Sequence, residues 1–194
     1  MEQNMTRLSE LKKTEVITAD GKLVGTLNSA IILGKLEISA LVIKLNKAAI
    51  ELLGKKKHIF SSLRMDVDVG DIQGVKDKVI INHFWNDLSI FLHEHNTKFD
   101  SERLIGMEVL GIGGKIVGTV EDINIDTESW KLPSLIIKIK KDALDMVKME
   151  KCLIGDNRLH ISMQHIVDVG DYVMLEVTAE DIGKILDSTP IKKI

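Results

Sequence analysis

Three stretches of this sequence carry residue types that could do chemistry. The first is Gly111-Ile112-Gly113-Gly114-Lys115, where glycine amides could cradle phosphate oxygens while the lysine neutralises charge. It lacks the spacing and the Lys-Ser/Thr pair of a P-loop, and the matching Thr18-Ala19-Asp20-Gly21-Lys22 keeps one of its glycines, so a turn is expected. The second is His93-Glu94-His95. Residues two apart do not share a helical face, and a zinc-protease helix needs His-Glu-x-x-His, so this run is read as a solvated helix end with no metal. His58, His83, His160 and His165 are scattered along the chain. The third is Cys152, the one cysteine. It can build neither an internal disulfide nor a cysteine zinc site, and it is expected to be a small, buried or half-buried apolar residue. With no convergent titratable set in either half, the expectation is no catalytic residue, no cofactor and no enzyme.

Charge and aromatic residues bound the binding classes. The chain has 194 residues, 26 basic and 29 acidic, for a net charge of −3, which disfavours a general phosphate-binding surface. Lys55-Lys56-Lys57 sits where lysines stabilise a helix C-terminus, and Lys138, Lys140 and Lys141 alternate on a strand with apolar residues. Two Trp, one Tyr and four Phe are too few for a base-stacking platform. The richest aromatic concentration is Phe84, Trp85, Leu88, Phe91 and Leu92, four of which share one helical face with Trp85 beside them. Such a stripe more often docks a helix on its own domain than meets a partner; where part of it is exposed, it is the best anchor for a protein interface.

The elements that position these residues are organised by a repeat. Asp20-Gly21-Lys22-Leu23-Val24-Gly25-Thr26 returns as Gly113-Gly114-Lys115-Ile116-Val117-Gly118-Thr119, each after a Glu-Val pair, Glu15-Val16 or Glu108-Val109. Asp20-Gly21 and Gly113-Gly114 are hairpin signals because both turn positions favour positive φ, and Gly25 and Gly118 mark a bulge or tight bend. Aligning Ala40–Leu45 with Ser134–Ile139 needs one inserted residue in the turn between. The same register then matches Lys57 with Lys151, Arg64 with Arg158, Asp77 with Asp171 and Val79 with Val173. The two Asp-Val-Gly-Asp copies, at 68–71 and 168–171, are a decoy, because aligning them would set the strand Val79–Ile81 against a helix start at Ala179.

Each half reads as a helical turn or lead-in, a hairpin, a long strand, a capped helix, two further short strands and a closing helix. In the first half these are Arg7 to Lys13, Glu15 to Thr18 with Lys22 to Leu27, Ile31 to Leu33, a turn at Gly34-Lys35 and a strand Leu36 to Leu45. Asn46 then caps a helix that ends at Gly54, followed by strands near Arg64–Val67 and Val79–Ile81. In the second half the long strand is Trp130 to Ile139, the helix Asp142 to Val147, and the strands Leu159–Ser162 and Tyr172–Val177. Thr178 to Asp181 has a capping-box layout before Ile182, Ile185 and Leu186. The expected fold is mainly β with short helices: two tandem small, strongly curled β-barrels, each followed by a helix. The first spans 6–92, a linker 93–100, and the second 101–188.

Leu8-Ser9-Glu10-Leu11, Glu15-Val16, Asp20-Gly21-Lys22-x-x-Gly25, the strand Ala40-Leu41-Val42-Ile43 and a late Asp-x-Val-Ile resemble the PRC-barrel family, named after a cytoplasmic domain of the photosynthetic reaction centre. The family also covers the C-terminal domain of the ribosome-maturation protein RimM. The second copy departs from the pattern, with Gly113 for Asp20 and Arg103-Leu104-Ile105-Gly106 ahead of Glu108. Stand-alone tandem copies look most like archaeal proteins, some of which are implicated in cell division through SepF, the membrane anchor of the FtsZ ring. The resemblance therefore implies a non-catalytic adaptor or scaffold that binds SepF/FtsZ division machinery and forms a homodimer or higher assembly; a RimM-like ribosome-maturation or RNA-associated factor is the alternative. No apolar run of signal-peptide or membrane-spanning length is present, so any membrane association is expected to come through a partner or a peripheral surface, and the single cysteine fits a reducing cytoplasm.

Overall fold

The computed structural model describes residues 5–33, 37–55, 63–144 and 157–186. Lys35, Leu36, Lys56, Lys57, His58, Lys151 and Cys152, with Gly34 and the helix residues Asp145 to Val147, lie outside them, as do 187 and 188 of the second expected domain. The chain divides into two compact units, one of residues 1–102 with 125–132, the other of 103–124 with 133–194.

In the first unit β1 (Met5–Arg7) leads into α1 (Leu8–Leu11), whose Leu8 and Leu11 are buried. There follow β2 (Glu15–Ile17), β3 (Leu23–Leu33), β4 (Glu37–Leu45), α2 (Lys47–Leu52), β5 (Arg64–Asp68), β6 (Ile72–Val75), β7 (Val79–Ile81), α3 (Leu88–Phe91) and β8 (Leu92–Glu94). Their order in the sheet is β6-β7-β2-β3-β4-β5-β8. Neighbours are antiparallel except β2 and β7, which run parallel with Val16 opposite Val79. Asn46 caps α2 as its residue type predicts, its side chain accepting from Ala49 N at 2.8 Å.

The second unit repeats this series with β9 (Glu108–Leu110), β10 (Ile116–Asp126), β11 (Lys131–Ile139), α4 (Lys141–Leu144), β12 (Arg158–Ser162), β13 (Ile166–Val169), β14 (Val173–Leu175) and α5 (Ile182–Leu186). The order is β13-β14-β9-β10-β11-β12, again with one parallel contact, Val173 opposite Val109. β6 and β13, which the hydrophobic pattern does not reveal, occupy corresponding places, and the Asp-Val-Gly-Asp copies do not.

The glycine bend has the same basis in both units. The ladder between β2 and β3 shifts register at Val16/Ile17, and that between β9 and β10 shifts at Ile116/Gly118. A Cβ on Gly25 would collide with the Lys44 carbonyl oxygen and stand 2.9 Å from its carbon; one on Gly118 would meet the Lys138 carbonyl in the same way. Close backbone approach, more than dihedral freedom, requires glycine there.

Three expectations need correction. The strands of neither unit close into a barrel among the described residues: β5 and β6, and likewise β12 and β13, are joined by a three-residue 3-10 turn, Val69–Asp71 or Met163–His165, and do not pair. The turn redirects the chain without returning it alongside itself, leaving a seam. β3 is one continuous strand from Leu23 to Leu33, because the polar Asn28-Ser29 is absorbed by a register shift and Ser29 finds a buried partner. The segment 93–100 is not a free linker, since β8 extends through Glu94 on β5 and the chain beyond it is pinned by hydrogen bonds. No helix among the described residues is long and apolar enough to cross a membrane.

The core of the first unit includes Leu8, Val16, Val24, Leu27, Leu41, Ile43, Val67, Val79, Ile81 and Leu88; that of the second includes Val109, Val117, Val120, Leu135, Ile137, Leu159, Ile161, Val173, Leu175 and Ile182. Ile31, Ala40 and Val42 form a further buried cluster.

Candidate functional site

The glycine loops are turns, and several of their amides are engaged within the fold. Ala19 N donates to His83 O at 2.9 Å and Gly21 N to Thr18 O at 2.9 Å; Ile112 N donates to Val177 O at 2.9 Å and Gly114 N to Gly111 O at 3.0 Å. Gly21 and Gly114 have φ of 77° and 78°, the left-handed conformation the hairpin needs. Lys115 pairs with Glu180, and this hydrogen bond holds the Glu180 carboxyl below the usual range. The four amides named serve the fold.

In the first unit this turn docks the aromatic stripe. Asp20 Oδ1 accepts from Trp85 N at 3.0 Å and from the Thr18 hydroxyl at 2.6 Å, and the Thr18 hydrogen bond is the main cause of a lowered Asp20 carboxyl. The Lys22 ammonium lies 5.9 Å from the centroid of the Trp85 ring. The expected single helix is instead a 3-10 turn, Trp85–Asp87, followed by the one-turn α3 and then β8. Leu88, Phe91 and Leu92 are buried, and Phe91 stacks on His83 at 4.5 Å between centroids. Trp85 is half-buried. Phe84 is 59% exposed, and so is Ile90 at 72%; the helical pattern does not single out Ile90, which lies off the face that packs.

The histidine run is the larger departure. It belongs to a strand and the turn after it, so the helical spacing rule does not apply to it. His93 stays exposed, its ring 3.7 Å from Asp68. His95 is half-buried between two carboxylates: Nδ1 is 2.8 Å from Asp66 Oδ1 and Nε2 is 3.1 Å from Asp100 Oδ2. The side chains of Asp66, His95 and Asp100 are 7%, 11% and 5% exposed. Asp66 Oδ2 also accepts from Asn96 N at 2.8 Å, and Asp100 accepts from Glu102 N at 2.8 Å and from the Ser29 hydroxyl at 3.0 Å. Ser101 Oγ accepts from Ala30 N at 3.0 Å. Burial raises the nearby Glu102 carboxyl, but Arg64 at 2.8 Å and Lys12 at 3.3 Å outweigh it and hold it below the usual glutamate range. Asp66 and Asp100 flank the ring on opposite nitrogens, and among the described residues no three such groups are arranged to hold a metal ion.

The second unit places different residues at the matching positions. His160 stands where β5 carries Asp66, and Asn124 Nδ2 lies 3.1 Å from His160 Nδ1 and donates to Ser134 at 2.7 Å. Short-range sequence signals could not reveal the first-unit network, because Ser29 and Asp100 are 71 positions apart and Asp66 and His95 29 apart. A PRC-barrel domain is found at residues 96–182. No curated protein matches the chain.

Proposed function

We propose, with the PRC-barrel domain at 96–182 as premise, that this chain is a non-catalytic interaction adaptor whose first unit is a second copy of the same domain. The shared strand order, the single parallel contact and the two glycine bends support the second copy. The observation that carries the adaptor reading is the exposure of Phe84 and Ile90. Folding of this segment needs the buried Leu88 and Phe91, as the second unit needs Ile182; at the positions matching Phe84 and Ile90 the second unit has Thr178 and Lys184. Large apolar groups that the fold does not require, held in water by a short segment whose neighbouring residues are buried, are what an interface anchor needs.

By its resemblance to tandem archaeal PRC-barrel proteins, the partner of this face is SepF, which would bring the chain from the cytoplasm to the division site at the membrane. Two similar units suit bridging partners or self-association into a homodimer or higher assembly. Gel filtration with light scattering on the full chain, alone and mixed with SepF, is expected to show self-association or a stable complex. The double substitution Phe84→Ser, Ile90→Ser should weaken that association by about tenfold or more, the range for loss of a central apolar anchor. A wild-type monomer that ignores SepF would overturn the reading.

A further inference from the structure

We propose that Asp66, His95 and Asp100 form a proton-dependent latch, which holds residues 95–102 against the first sheet and releases them when the imidazolium is lost. An ionised carboxylate only accepts hydrogen bonds. Asp66 is hydrogen-bonded to one ring nitrogen at 2.8 Å, and Asp100 lies at ion-pair distance, 3.1 Å, from the other, so both carboxylates are attracted to the ring only while both nitrogens carry hydrogen. A neutral ring would turn one lone pair toward a buried carboxylate oxygen. Breaking one arm of a buried ionic network is costly, because the remaining charge has no water to replace its partner.

What the latch holds is otherwise weakly attached. Between His93 and Glu102 the only large apolar side chain is Phe99, which is exposed. The segment is fixed through polar contacts instead: Asn96 N to Asp66, Glu102 N to Asp100, Ser29 to Asp100, Ala30 N to Ser101, and a bridge between Ile31 and Asp100. Segments with few buried apolar contacts open locally at low cost, so this network decides whether 95–102 stays closed. The groups that face the ring are Asp66 on β5, Asp100 on its own segment and, through Asp100, Ser29 on β3. Glu102 beside them is paired with Arg64 of β5 and with Lys12 after α1, and His93 of β8 points to Asp68 of β5.

The direction follows from proton counting. The closed state holds one proton more than an open segment with a neutral imidazole, so closure is complete while that proton is bound and is lost as pH rises.

Amide hydrogen exchange of Asn96 and Glu102 in the full chain, followed by NMR from about pH 5 to 8, where histidines change charge, tests this alongside the ring-nitrogen signals of His95. Protection corrected for intrinsic exchange should fall by up to about tenfold per pH unit while those signals still show both nitrogens protonated, the slope for release of one proton on opening, and should level off as they become neutral. Amides of β2, and those of β3 outside Ala30 and Ile31, which touch the segment, should not follow. In Asp100→Asn the amide can donate to an unprotonated Nε2, so a neutral ring is accommodated and the slope should disappear. A neutral His95 ring with Asn96 and Glu102 protected throughout, or an unchanged slope in Asp100→Asn, would overturn the proposal.

Discussion

Gly25 and Gly118 show how little room a single position can leave. Each sits where β3 or β10 passes against the backbone of the next strand, and the nearest atoms a methyl group would meet belong to a backbone carbonyl rather than to a flexible side-chain end. Relief would have to come from movement of a strand. Gly25→Ala and Gly118→Ala are each expected to cost roughly 2–3 kcal/mol, the upper part of the overpacking range, measurable as a lower urea midpoint at unchanged slope. Glu102 gives the pH-dependent counterpart. Its folded carboxyl is held below the ordinary value, so the stabilisation from Arg64 and Lys12 is present above the unfolded value and fades as pH falls through the folded one. Glu102→Gln should flatten the acid limb of the stability profile, by a modest amount because the pair is partly solvated.

The short element from Phe84 to Leu92 combines two kinds of apolar residue. Leu88, fully buried, anchors α3 on its sheet, and Leu88→Ala is expected to cost about 3–5 kcal/mol through lost burial and a residual cavity. Ile90, one turn position away from the packed face, contributes surface without packing. Ile90→Ser should change stability by no more than about 0.5 kcal/mol while weakening association, and thermal unfolding beside a binding measurement separates the two. The helical period in the sequence groups Phe84 with Leu88, Phe91 and Leu92; the last three face inward, whereas Phe84 is exposed. The period does not reveal that the helix stops after one turn, because β8 gains a ladder with β5 that outweighs further helical hydrogen bonds.

Across the whole chain, acidic and basic residues nearly balance, and many of the basic ones are already paired: Lys78 with Glu15, Lys115 with Glu180, Lys140 with Glu108, Arg158 with Glu121. If the proposed adaptor function holds, the chain is expected not to be retained on ribosomal particles or RNA at physiological salt. Co-sedimentation with a steep salt dependence would instead favour the ribosome-maturation reading, since release of counterions from phosphate is what makes nucleic-acid binding so sensitive to salt.

The sequence by itself determined the elements whose causes are local. Asp20-Gly21 and Gly113-Gly114 require a hairpin, Asn46 a helix start, and the recurrence of Gly25 as Gly118 a repeated bend, because each depends on residues close in the chain. The open seam between β5 and β6 was not legible, nor were β6 and β13, since whether neighbouring strands pair is settled by where a tight turn sends the chain. Least legible was the setting of His95. Asp66, Asp100 and Ser29 come from distant positions, and only the tertiary structure could put two carboxylates on one imidazole and shut out the water that would otherwise have made each of them an ordinary surface group.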